Sequence, residues 1–338
     1  MSRAVNNIPD WRITLDGVDL SDRIRPRLIS LTLSEKRGDE ADQLDIVLSD
    51  HDGMLGIPPE GAVLHLQLGW KQGRDVTPGL IDKGSFKVDD VSHSGPPDQI
   101  TIRARAADFT SEIRNRRSQS WSATTLGAVL TEVAERNGLA ASIAPAMASI
   151  ALPTATQSRE SDVAFLRRLG RENDAVATIK AGQLIFVPKG AGTNAQGIAL
   201  HTLTIRRRDG DRHMWQRQKR DGQEGATASW HDKKAAKRKS VTVGESDGAK
   251  KLRKVYPDEA SAKRAAASES ARLKRAPETL DLTLALGRPD AYPEGRVNVV
   301  GFKPGIDGGS WLIFEVTHRL DKNGGFRTDL RIETATSA

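Results

Sequence analysis

The chain has 338 residues, with 51 Lys+Arg against 44 Asp+Glu, a formal net charge of +7, no cysteine and 4% aromatic residues. The lack of cysteine excludes disulfides, Cys-ligated zinc, iron–sulfur clusters and thiol catalysis. The excess charge is local: residues 206–275 hold 21 Lys/Arg and 10 Asp/Glu, a pattern that first suggests nucleic acid, an anionic surface or an acidic partner.

The first hundred residues read as β-structure. Trp11–Leu15 precedes the turn Asp16-Gly17, and Leu28–Ser34 alternates Leu28, Ser30 and Thr32 against Ile29, Leu31 and Leu33. Leu44, Ile46 and Leu48 share a face before the turn Asp50–Gly53, and Val63–Leu68, Gly84–Val91 and Ile100–Ala106 alternate similarly. Short strands between Gly/Pro/Asp turns predict a sandwich or barrel.

From about Trp121 the period changes. Leu126, Val129, Leu130 and Val133 form one helical stripe, with Ser122 or Thr124 as candidate caps and Asn137-Gly138 as its end. The uncharged stretch 137–158 contains Pro145 and Pro153 and is too weakly apolar for a membrane span. It reads as a helix end and an extended connector. A second helix starts near Ser161-Asp162 and carries Val163, Phe165, Leu166 and Leu169. Val176–Ile179, Ala181-Gly182 and Leu184–Val187 read as a hairpin. Gly190–Gly197 is a loop, Leu200–Arg206 a strand, and Arg207–Gly225 a long exposed loop. Ala226–Trp230 and Lys239–Val243 look like strand pieces, and Asp258–Ala276 is an Ala-rich helix between Pro257 and Pro277. Leu273 is its only large apolar residue, so its buried face must be narrow. Thr279–Thr334 is β again.

The two β-rich ends share a pattern. Leu44–Leu48 corresponds to Leu280–Leu284, Pro59-Glu60-Gly61 to Pro293-Glu294-Gly295, and Val63–Gly69 to Val297–Gly301. Phe86–His93 corresponds to Trp311–His318, and Gln99–Ala106 to Phe326–Glu333. Any one match is noise, but an ordered series predicts a duplicated β-domain. Its second copy is interrupted by the basic segment and the Ala-rich helix.

The search for chemistry returns little. None of the seven histidines has metal-ligand spacing, and neither a phosphate loop nor a nucleophile elbow is present. Glu35 and Glu40 are a candidate carboxylate pair, but Asp39, Glu40 and Asp42 read as a solvated charged loop. The basic clusters interleave with Trp215 and Trp230, as a single-strand binder would need. Acidic residues interrupt them, and no nucleic-acid reader motif appears. A charged surface for a protein partner, or a solvated face, is the favoured reading.

Phe86–Asp98, Ile100–Arg103 and Ala106–Phe109 resemble the late control D family of contractile phage tails, the baseplate hub proteins. So do Trp121, Thr124–Gly127, Asn137–Leu139, Glu160–Asp162, Phe165–Leu169, Trp230–Asp232, Leu284–Pro289 and Val316–His318. The resemblance implies a predominantly β, α+β chain with two tube-like antiparallel β-barrels flanking a small α/β, LysM-like domain. The expected divisions are a first barrel at 1–117, the α/β domain at 118–189, and a second barrel at 190–338 with its insertion at about 206–277. It further implies a non-enzymatic virion or particle component assembled in the host cytoplasm. That component would be a homotrimer whose pseudo-sixfold ring joins a hexameric tail tube to a trimeric central spike.

Baseplate wedge or tape-measure proteins are further implied partners. No cofactor, metal, small-molecule substrate, membrane insertion or sequence-specific nucleic acid is expected. Candidate interface residues are Lys233, Lys234, Lys237, Arg238, Lys239, Lys250, Lys251, Arg253 and Lys254. A peptidoglycan- or nucleic-acid-binding module and a hub-associated cell-wall hydrolase stay open as alternatives.

Overall fold

A computed structural model describes residues 6–37, 41–106, 112–180, 182–198, 200–217, 225–232, 235–275 and 278–334. The chain begins with β1 (Ile8–Leu15), β2 (Val18–Asp19) and a short α1 (Ser21–Ile24), and continues through β3 (Leu28–Lys36), β4 (Gln43–Ser49), β5 (Val63–Gln72), β6 (Gly79–Ser94) and β7 (Gln99–Ala106). The β1–β2 turn is tight because Asp16 and Gly17 both take positive φ, 47° and 85°, the geometry that matches strand twist. The alternation in β4 sets its inner face: Leu44, Ile46 and Leu48 are buried, and Asp45, Val47 and Ser49 are not. In β3 strict alternation fails. A bulge between Leu28 and Ser30 leaves Ile29 exposed and puts Leu28 on the buried side with Leu31 and Leu33.

The middle block comprises β8 (Arg116–Thr125), α2 (Leu126–Arg136), β9 (Ala140–Ile143), α3 (Pro145–Ala148), β10 (Ala151–Ser161), α4 (Asp162–Glu172), β11 (Ala175–Lys180) and β12 (Gln183–Pro188). The cap of α2 is Thr125, whose hydroxyl accepts from Ala128 N at 3.2 Å, while Ser122 and Thr124 belong to β8. The presumed connector 137–158 is largely ordered, because its last part pairs with β8 as a two-stranded ribbon. Leu126, Val129, Leu130 and Val133 pack with Phe165, Leu166 and Leu169 in a core of their own.

The remainder holds β13 (Thr202–Arg206), β14 (Gly210–Arg217), β15 (Ala226–Asp232), β16 (Lys237–Val243), β17 (Lys250–Tyr256), α5 (Glu259–Arg275), β18 (Glu278–Leu284), β19 (Arg296–Val300), β20 (Trp311–Asp321) and β21 (Gly325–Thr334). The expected exposed loop at 207–225 instead holds a short 3-10 turn at Arg207–Asp209 and then the strand Gly210–Arg217, hydrogen-bonded along β18. Residues 218–224 lie outside the described residues, as do Asp39, Glu40, Ala181 and Pro277.

The two halves are paired alike. The first runs β3–β4–β7–β6–β5 and the second β14–β18–β21–β20–β19. The irregularities repeat too. β3 and β14 each skip a residue against their neighbour, at Leu28/Ser30 and Gly210/Arg212. β6 and β20 do so at Val88/Asp90 and Ile313/Glu315. One difference is the outer strand, since β1 pairs antiparallel with β5 while β13 pairs parallel with β19.

Two separate barrels were expected. Among the described residues the strands instead join in one open 13-stranded sheet, and no barrel closes. The link is β20, whose later residues pair with β3. Leu320 of β20 and Phe326 of β21 thereby enter the first core, where Trp70 meets Phe326 at 5.3 Å.

Candidate functional site

The basic segment is not a loop. β16–β15–β17 form a separate three-stranded sheet, and α5 packs on it through Ala262, Ala265 and Ala266 against Ala226, Ala228, Trp230 and Tyr256. Small side chains let helix and sheet approach closely, which explains how a helix with one large apolar residue is held. Trp230 therefore serves this core, and Trp215 packs against the second-half core. Among the described residues, neither tryptophan is laid open as the stacking platform that single-strand binding would require.

Of the candidate interface residues, Lys233 and Lys234 lie outside the described residues. Lys237, Arg238 and Lys239 are exposed on β16. Lys239 is held by Asp232 at 2.7 Å. On β17, Lys251 and Arg253 are exposed, Lys250 pairs with Glu269 at 2.7 Å, and Lys254 pairs with Glu172 of α4. The fold brings these described cations to one small sheet. It also ties that sheet to the middle block, where Ser268 donates to Arg171 O at 2.6 Å.

A second concentration of charge was not foreseen. Glu35 of β3 is buried with Lys83 of β6 at 2.8 Å, Lys180 of β11 at 3.3 Å and His318 of β20 at 3.5 Å. Asp42, read from sequence as solvated, is buried too: it takes Lys180 at 3.0 Å and accepts from Lys36 N at 3.1 Å. Beside them Arg37 bridges Glu294 and Glu333. A cleft of about 840 Å³ between the halves and the middle block is lined by Glu35, Arg37, Asp42, Lys83, Lys180 and Glu294. Its charges are engaged with one another, so it reads as a three-way structural junction.

Burial pushes the Glu35 carboxyl upward, but Lys83, His318 and Lys180 outweigh it and hold the group well below the usual carboxylate range. Burial and then Lys83 push His318 down to about 4. For Lys180, Glu35 and Asp42 overcome burial and raise its pKa. The sequence signal for this junction was faint: an acid in phase with Leu31 and Leu33, on the buried face of its strand.

Residues that carry the family resemblance have structural work in this fold. Asp162 is fully buried and accepts from Asn137 at 2.8 Å and Gln157 at 2.7 Å, while Arg136 reaches it as an ion pair. Ser161 caps α4, and Trp121 stacks on Phe165 at 5.2 Å. Gly287 is required by space: a Cβ there would lie 2.4 Å from the Phe326 ring, and its carbonyl accepts from Trp70 Nε1 at 3.0 Å. Among the described residues no helix is long and apolar enough to cross a membrane, and no acidic or histidine group could hold a metal.

The fold is that of solved phage tail proteins. A tail protein from Neisseria meningitidis superposes with a TM-score of 0.69 at 12% identity, covering 96% of each chain. The 43 kDa tail protein of prophage MuSo2 from Shewanella oneidensis gives 0.67 at 14% identity, covering 96% of this chain and 98% of that one. At the level of sequence, the chain is 40% identical over 369 residues to the probable baseplate hub protein of Escherichia phage P2, covering 97% of this chain and 94% of the relative. The phage tail baseplate hub family matches residues 28–324, and the chain belongs to that family. It is thus a baseplate hub protein of a phage tail or related particle, a structural component of the virion.

Proposed function

We propose that three copies of this chain form a ring of six similar β-units that adapts a hexameric tail tube to a trimeric central spike. The observation that carries the reading is the doubled pairing order, with both bulges repeated at matching places. Three chains with one unit each present three equivalent docking surfaces, whereas three chains with two units present six. Duplication is thus a physical route from threefold to sixfold symmetry. Each unit serves as a segment of tube wall. Leu64, Leu66 and Leu68 pack inward, and Arg103 and Arg105, exposed on β7, face the lumen or solvent.

The work is adaptation and transmission of force, without turnover of a substrate, and assembly takes place in the host cytoplasm. The cations of β16 and β17 form a docking face for an acidic protein surface on the tube, the spike, a baseplate wedge or the tape measure. The middle block, with its LysM-like cast, spaces the two halves. Mass measurement of the purified chain, alone and mixed with spike and tube proteins, tests the adaptor. A trimer that takes up both is expected, and a monomer indifferent to both would refute it.

A further inference from the structure

The middle block shares no apolar core with the β-halves. Among the described residues, the cores of the first half, the middle block and the second half have no residue in common. Polar contacts tie the block to the β-frame instead. Lys180 spans Glu35 and Asp42 of the first half, and Gly190, in the connector toward β13, donates to Glu294 of the second at 2.9 Å. The cleft lies between them, lined by Val176, Gln183 and Ile185 of the block and by Ile81, Ser85 and Tyr292 of the frame. Units that meet without a large apolar interface move against each other unless further contacts fix them.

The basic insertion supplies such a contact. It too has a core of its own, made of Ala226, Ala228, Trp230, Tyr256 and the alanines of α5. Its stem is narrow. The chain leaves the second half at Arg217 and returns at Glu278, and these two lie opposite each other in the β14–β18 register, with Arg217 Nε donating to Glu278 at 2.7 Å. The insertion also grips the last turn of α4. Ser268 of α5 is buried and donates to the carbonyl of Arg171, one of the helix-end carbonyls that a helix cannot satisfy by itself. Lys254 of β17 pairs with Glu172, a cation at the negative end of the helix dipole. Glu172 also holds Arg168 at 3.4 Å, and Arg168 donates to Thr156 O at 2.6 Å, so the grip extends into β10.

We propose that the insertion is a clasp: it ties α4 to the second half, holds the middle block closed over the cleft, and on release lets the block swing about the connector at Gly190. The clasp is a property of one chain and stands apart from the ring reading. The place of the insertion in the chain agrees with it. β14 and β18 pair with each other on either side of the insertion, so it adds nothing to the pairing of the second half. What it adds is a second bridge to the middle block, from the end of the large sheet, that bypasses the connectors of the chain. The connector suits a pivot, since Gly190 and Gly192 take φ of 75° and 62° and a few such loop residues absorb a domain rotation. Lys254 then serves the clasp. Lys237, Arg238, Lys251 and Arg253, exposed on the same small sheet, are left for a partner.

The absence of native cysteine makes the test direct. Spin labels on Ile81→Cys and Gln183→Cys, exposed positions on the two sides of the cleft, report its width by pulsed electron resonance in the full chain. With no further change, one narrow distance is expected. Lys254→Glu with Ser268→Ala sets two acids against each other at the grip and removes its hydrogen bond, and should add a second, longer distance. Lys254→Arg should keep the single distance, and so should Lys251→Glu, the same charge reversal at an exposed lysine of the same strand. Replacing residues 218–277 by Asn-Gly, a turn that closes the opposed Arg217 and Glu278, should open the cleft most. An unchanged single distance in the Lys254→Glu, Ser268→Ala chain would overturn the clasp, whether or not the excised chain folds. Equal broadening by Lys251→Glu would overturn it too, because charge on the sheet rather than the grip on α4 would then set the opening.

Discussion

The first and second β-halves share strand order, register and bulges, yet the same position does different work in each. Glu35 of the first half is buried among Lys83, Lys180 and His318, whereas its counterpart Arg217 is exposed beside Glu278. His318 is buried under β3, whereas its counterpart His93 is open. Glu294 binds Arg37, whereas Glu60 of the matching tripeptide is exposed. Backbone pairing is thus a property of the unit, and burial is a property of what lies next to it.

The largest expected effect breaks that contrast at its strongest point. Glu35→Ala leaves Lys83 with an uncompensated charge in a buried site and should cost about 3–5 kcal/mol in urea unfolding. Arg217→Ala removes an exposed ion pair and should cost no more than about 1 kcal/mol. Equal losses would show that the two positions are not differently used.

The next effect is pH-dependent. With His318 at about 4 in the fold against an unfolded value near 6.5, the unfolded chain binds the proton first. Stability should therefore fall as pH drops from about 6.5 to 4, by roughly 3 kcal/mol. The depressed Glu35 acts below that window: its contribution is present above the unfolded carboxylate value and is lost as pH falls toward its folded one. His318→Gln should flatten the first window only, and an unchanged slope there would assign it to other groups.

Gly287→Ala should destabilise by about 1–3 kcal/mol through its clash with Phe326. His51→Ala, in the corresponding exposed turn of the first half, should stay within about 0.5 kcal/mol. Thermal melts of the pair separate a packing role for the glycine from a mere turn preference. The smallest effect on stability, within about 0.5 kcal/mol, is expected from Lys237 and Arg238 together changed to Glu, both exposed on β16. Particle assembly should nevertheless drop, and normal particle yield would clear this face of a docking role.

Much of the fold was legible because half-buried strands advertise themselves by alternation. β4, β5, β7, β18 and β21 all do so, and the duplication followed from their order. The strands that escaped notice bury little. β14 is an edge strand, β17 reads as Lys250–Tyr256 with most side chains in solvent, and β8 is half of a polar ribbon. The Ala-rich helix was legible, but not that a basic sheet lies beneath it. The charge junction was barely legible. Glu35, Lys83, Lys180 and Glu294 are far apart in the chain, and only strand register brings them together. Asp42 looked solvated because its neighbours in sequence are charged, while its neighbours in space are what bury it.

The central claim is that one chain supplies two equivalent units to a ring. Reconstruction of the assembled baseplate from electron images, with no symmetry imposed, tests it most directly. Three hub chains should surround the axis as six β-units, joined within each chain through β3–β20. A ring with another number of chains, or halves that contact the tube unequally, would contradict it.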